Sequence, residues 1–202
     1  MSSTSNGDPA RPNSRAAAYR GALADPRPLA LAAQTMIAME TLLHVAVTVT
    51  GGRDSAIAWA APLSVPLFLT AVGLFLCWFH RCSRNAELFA PGRHQHSEEA
   101  TVGIWFHPLK MLWAPRRIAL DIWNASGGTG SPWLINAWWI AWLGKFFSAL
   151  LYPAFGGSVY DPNATYMFQI GVVAAGLAIL MIHQLTAAQD AKVGAGVRDT
   201  GF

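Results

Sequence analysis

The sequence predicts an all-α membrane protein of four transmembrane helices, with a cytoplasmic interfacial or re-entrant helix between the second and third. Two observations carry this. Of 202 residues 53% are hydrophobic and only 12% charged, about half the charged share of an ordinary soluble domain. The charges also gather in segments, and between them lie apolar runs of about 20 residues, the length that crosses a bilayer core.

Taken in order, Met1 to Arg27 is rich in Ser, Ala, Pro and Arg without apolar periodicity, the composition of a disordered tail. It is Arg-rich and poor in acids like a transit peptide, but Pro12 and Pro26 restrict any amphipathic helix to the residues between them. The first apolar run starts near residue 29 and is full length, so a cleaved signal peptide is not expected. The expected domains are a disordered cytoplasmic tail over 1–28, a transmembrane domain over 29–186 that includes the interfacial segment 102–125, and a cytoplasmic tail over 187–202.

The spans are expected at about Leu29–Val49, Ala56–Phe79, Trp133–Pro153 and Thr165–Gln184. Pro62 and Pro66 fall inside the second, where neighbouring groups must re-satisfy the freed carbonyls. Small residues in the fourth (Gly171, Ala174, Ala175, Gly176) allow close helix contact or self-association. Orientation follows the Lys/Arg bias. Arg11, Arg15, Arg20 and Arg27 lie before the first span, and Arg81, Arg84, Arg93, Lys110, Arg116 and Arg117 lie between the second and third. The two short loops on the other side hold only Arg53. This places the chain in the cell membrane as a multi-pass protein with both termini cytoplasmic.

A fifth span through residues 102–114 would be short, would contain His107 and Lys110, and would invert the remaining loops. The stretch Gly103–Ser126, GIWFHPLKMLWAPRRIALDIWNAS, is therefore re-entrant or interfacial. After Pro115, which suits a first helical turn, Ile118, Leu120, Ile122 and Trp123 can face an apolar phase while Arg116, Arg117 and Asp121 face headgroups or water. Trp105, Trp113 and Trp123 suit an interface because each ring is apolar with one N–H donor. The stretch is either a docking surface for lipid or a partner, formed by Trp105, Trp113, Arg116, Arg117 and Trp123, or a packing element that closes the bundle. SGGTGS at 126–131 is expected as a linker.

Here the sequence resembles a bacterial family of membrane proteins known as domain of unknown function 4328. The resemblance rests on Arg81, Arg84, Asn85 and Ala86, then Trp105, Phe106, Pro108, Leu112, Trp113 and Pro115, then Asp121, Trp123, Ala125 and Ser126. It extends over roughly residues 60–185. The family usually has an asparagine where Met111 stands and a basic residue where Ala114 stands, so any chemistry those residues perform is not carried by this chain. The resemblance implies the membrane topology and attaches no activity.

Within the spans, Glu40 and Lys145 fall at matching depth near the bilayer midplane, with His44 one turn beyond Glu40. An isolated charge at such depth costs at least ~2.5–3.5 kcal/mol, so each needs an inward-facing partner. The pair is either a structural ion pair or the polar centre of a transporter, ligand pocket or membrane-embedded enzyme. Cys77, His80, Cys82, His94, His96, His107 and His183 fall toward one side, but their spacing matches no metal template. His44 and His183 lie too far apart in depth for one haem. Cys77 and Cys82 are expected as free thiols. Asn163-Ala164-Thr165 matches a glycosylation acceptor, a pattern frequent by chance.

The chain has no G-x-S-x-G, H-E-x-x-H, P-loop or G-x-G-x-x-G. No catalytic set, metal or cofactor is expected. Nor is nucleic-acid binding, since the basic residues flank apolar runs. The expected partners are membrane lipids and a membrane-protein partner or second copy. The expected role is a non-catalytic interaction or accessory protein, with a small transporter or membrane enzyme built on Glu40 and Lys145 as the alternative.

Overall fold

The structure, a computed structural model, describes residues 23–50, 61–90, 100–129, 131–154 and 165–199. The expectations for the first 22 residues, Arg53, Arg93, His94, His96 and Asn163 lie outside these. Among the described residues the regular structure is entirely helical: α1 Arg27–Thr50, α2 Ser64–Phe89, α3 Ala100–Gly103, α4 Ala114–Ala125, α5 Trp133–Ala154 and α6 Thr165–Asp199. Short 3₁₀ turns occupy Ala61–Leu63, Ile104–Phe106 and Lys110–Leu112. Helices α1, α2, α5 and α6 are each long and apolar enough to cross a membrane, the pattern of a multi-pass membrane protein.

Helix α1 packs against α2 and α6, and α6 against α5. Ala30 and Ala33 are buried on α1, as are Ala174 and Ala178 on α6. Side chains this small let helix backbones approach closely where lipid gives no hydrophobic drive for association. The Gln34 amide donates to the Ile179 carbonyl at 3.0 Å, which joins α1 to α6 inside the apolar layer. The hydroxyls of Thr41, Thr48 and Thr50 bond back to carbonyls one turn earlier at 2.7–2.9 Å, so none is left without a partner in hydrocarbon.

Helix ends depart from the expected spans. Helix α2 begins at Ser64, so Pro62 lies in the preceding 3₁₀ turn and Pro66 in the first helical turn. A backbone N–H there has no intrahelical acceptor in any case, and proline removes nothing. At its other end α2 runs ten residues past Phe79, through residues expected to be polar connection. Helix α6 likewise continues beyond Gln184 to Asp199. Its 35 residues span about 52 Å, well beyond a ~30 Å hydrocarbon core.

These extensions meet each other. Asn85 and Gln189 are both buried, and the Asn85 amide donates to Gln189 Oε1 at 3.1 Å. Gln189 Nε2 donates to the Cys82 carbonyl at 2.8 Å. Asn85 also holds the segment before α1, accepting from the Ala24 N–H and donating to the Ala24 carbonyl. Arg81 donates to the Asp25 carbonyl, and Arg27 pairs with Asp190 at 2.7 Å. The start of α1 and the ends of α2 and α6 are thereby tied at one end of the bundle.

Helix α4 closes that end. Ala114, Pro115, Ile118, Ala119, Ile122 and Trp123 are buried, on a face that packs against α2, α5 and α6. Its stop is a Schellman motif. The Gly128 N–H bonds to the Trp123 carbonyl at 3.0 Å and the Gly127 N–H to the Asn124 carbonyl at 3.2 Å. Gly127 takes φ +71°, and a Cβ on Gly128 would fall 2.2 Å from the Trp123 ring. Gly127 and Gly128, expected within a linker, thus form a helix stop, and Gly128 packs on Trp123.

Candidate functional site

Two places hold the predicted residues. The first is a cavity of about 420 Å³ in the apolar layer, lined from all four long helices and from the connecting segment. The bulkiest residues of its wall are aromatic: Phe68 and Phe75 from α2, Trp138, Trp142 and Phe146 from α5, and Trp105 and Phe106 from the connection. Glu40 of α1 and Lys145 of α5 also line it.

Both helices start at the end closed by α4, and the two residues lie about 20 Å and about 18 Å along their axes. Equal depth puts their charges in one layer. The Glu40 side chain is 15% exposed, and its carboxylate meets His44 Nδ1 at 3.4 Å, across one helical turn. The carboxylate contact is therefore with His44, on its own helix, while Lys145 shares the cavity without a direct ion pair to Glu40. The alkyl chain of Lys145 passes Gly171 of α6, where a Cβ would lie 3.8 Å from Lys145 Cε. That separation is ordinary van der Waals contact, so the lysine packs along α6 there.

Trp105 is the hub of the aromatic wall. Its ring meets Phe75, Phe79, Trp138, Trp139 and Trp142 at centroid distances of 5.6–6.4 Å. Edge-to-face contacts predominate, the geometry favoured by the aromatic quadrupole. Stacking continues from Trp139 to Trp142 and from Trp142 to Phe146. The Trp105 indole N–H is buried and meets no acceptor among the described residues, whereas that of Trp78 donates to Thr186 Oγ1 at 3.1 Å.

The second place is the surface of the connection. The five residues expected there divide. Trp105 and Trp123 turn into the bundle, and Arg116 Nε donates to Asn136 Oδ1 at 2.8 Å, fastening α4 to the start of α5. Trp113 and Arg117 remain exposed. They are joined by Phe106 and Leu109, 75% and 62% exposed, and by exposed His107 and Lys110. For Trp105 and Trp113 sequence reasoning had no signal, because residues 104–112 form two 3₁₀ turns without a helical period, whereas Arg117 and Trp123 lie on the opposite faces of α4 that its period gives them.

Cys77 is exposed and Cys82 buried, both as free thiols. Among the described residues no three His, Cys, Asp or Glu side chains gather where a metal could be held.

No curated protein and no solved structure matches the chain. The family described as Domain of unknown function (DUF4328) matches residues 43–187. That range takes in Lys145, His44, the aromatic hub and the whole connection, and stops short of Glu40 and Gln189. With well over half of its length matched, the chain belongs to the DUF4328 family.

Proposed function

We propose that the protein is a non-catalytic component of the cell membrane, with both termini cytoplasmic, whose connecting segment docks on anionic lipid headgroups. The observation that carries this reading is the outward face of residues 106–117. Phe106, Leu109 and Trp113 are exposed large apolar side chains, with the cations Lys110 and Arg117 exposed beside them. Apolar side chains that enter the headgroup boundary, ringed by cations, are the surface that binds an anionic leaflet. Each Lys or Arg contributes about 1 kcal/mol near such a surface.

The test is lipid selection. The protein is reconstituted in nanodiscs of mixed phosphatidylglycerol and phosphatidylcholine, released into the gas phase, and its retained lipids are counted by native mass spectrometry. Enrichment of phosphatidylglycerol that is lost in a Lys110→Ala/Arg117→Ala variant supports the reading. Retention in proportion to the bulk mixture refutes it, and so does enrichment that survives the double substitution. Arg116→Ala is the control for fold damage, because its side chain is bonded to Asn136.

A further inference from the structure

The cavity between the long helices carries a second inference, which shares Phe106 with the docking face but does not rest on headgroup docking. Its wall is overwhelmingly hydrocarbon and aromatic, and its polar groups include one carboxylate and one ammonium, Glu40 and Lys145. The volume of about 420 Å³ falls in the range of small-molecule sites, roughly 300–1,000 Å³.

The two charges decide the kind of occupant. In surroundings of low dielectric constant an anion drawn to Lys145 is repelled by Glu40, and a cation drawn to Glu40 is repelled by Lys145. Either ion also loses its hydration on entry. An uncharged group that both donates and accepts meets neither penalty. A hydroxyl donates its proton to the Glu40 carboxylate and accepts from the Lys145 ammonium, and bonds to ionised partners are the stronger kind. The aromatic wall then holds a hydrocarbon body.

Access is from the lipid side. Phe68 and Val72 line the cavity and are also exposed on the outer face of α2, and Lys145 is exposed as well.

We propose that this cavity binds an uncharged amphiphile, a hydrocarbon chain or ring with a hydroxyl head seated between Glu40 and Lys145. The tryptophans in the wall report on it, because a brominated chain quenches indole fluorescence on contact. The intact protein is titrated in nanodiscs with three probes: ω-bromoundecanol, ω-bromoundecanoate at a pH that keeps it ionised, and bromodecane. Quenching is compared at equal membrane concentration.

Saturable quenching by the alcohol is expected, about tenfold tighter than by the carboxylate or the alkane, the difference of one good polar contact. In Glu40→Gln the preference is expected to turn toward the carboxylate, because only the ammonium charge remains. Equal quenching by all three probes would overturn the proposal, leaving an apolar void that any chain fills. A parent protein that prefers the carboxylate, or that shows no saturable quenching, would also overturn it. The comparison of probes on the parent chain needs no variant to fold, and Lys145→Gln, expected to weaken the alcohol and the carboxylate while leaving the alkane unchanged, provides a second check.

Discussion

Asn85 and Gln189 stand 104 positions apart and share a buried hydrogen bond of 3.1 Å, at the point where α2 and α6 leave the apolar layer. Through Ala24 and the Cys82 carbonyl this one pair spends its amide groups on three parts of the chain. Asn85→Leu would remove the partner of Gln189 Oε1 and of both backbone groups of Ala24. A buried group left unpaired, as Gln189 Oε1 would be, costs about 1–3 kcal/mol. The variant should melt well below the parent when helical ellipticity is followed in nanodiscs. An unchanged midpoint would mean that the pair holds nothing.

Arg27 and Asp190 lie beside that pair and make a bond of 2.7 Å, yet the Arg27 side chain is 64% exposed. An ion pair open to solvent is screened and contributes little. Asp190→Asn should therefore leave the midpoint close to that of the parent. A fall comparable with that of Asn85→Leu would contradict this ranking of the two contacts.

Gly128→Ala tests the helix stop. Its new Cβ would lie 2.2 Å from the Trp123 ring, a separation that forces the ring or the backbone to move. Overpacking of this kind costs roughly 1–3 kcal/mol. The midpoint should fall and the tryptophan emission should shift as Trp123 is displaced. Gly73→Ala meets open space and should change neither. Equal behaviour of the two variants would remove the packing role assigned to Gly128.

Trp105 and Trp78 separate ring packing from hydrogen bonding. Trp105→Ala would open a hole amid five aromatic neighbours; a fully buried ring would cost about 3–5 kcal/mol, and the partly buried Trp105 should cost less than that. Trp105→Phe keeps part of the ring and loses an N–H that has no acceptor among the described residues. Trp78→Phe loses a bond to Thr186, worth a further ~0.5–1.5 kcal/mol. In chemical denaturation Trp78→Phe should be the more damaging of the two Phe variants. The reverse order would contradict the assignment.

The spans were legible because unbroken apolar runs of bilayer length have few other uses. Their extensions were not, because polar residues end an apolar run even when the helix continues. The helical signal was nonetheless present. Trp78, Cys82, Asn85 and Ala86 recur at the period of one buried face, and so do Met181, Ile182, Leu185 and Gln189. Asn85 and Gln189 occupy core positions in that pattern, which hydropathy alone discards. Glu40 and Lys145 were placed at one depth by counting residues, and both do line one cavity. That the Glu40 carboxylate meets His44 depends on rotamers that counting does not supply. Trp105 presents the opposite case. A tryptophan beside prolines and cations has the same sequence context at an interface as in a core, and only the surrounding Phe75, Trp138 and Trp142 decide between them.

The most direct test of headgroup docking is the depth of Leu109. A spin label on Leu109→Cys, in a Cys77→Ser background, is placed in nanodiscs that contain anionic lipid. Its collision rates with oxygen and with a water-soluble nickel chelate are then compared. If the 106–117 face enters the headgroup boundary, oxygen contact dominates, and Lys110→Ala/Arg117→Ala moves the label toward the chelate. A label that meets the chelate as freely as one in bulk water, with or without those two cations, would contradict the account.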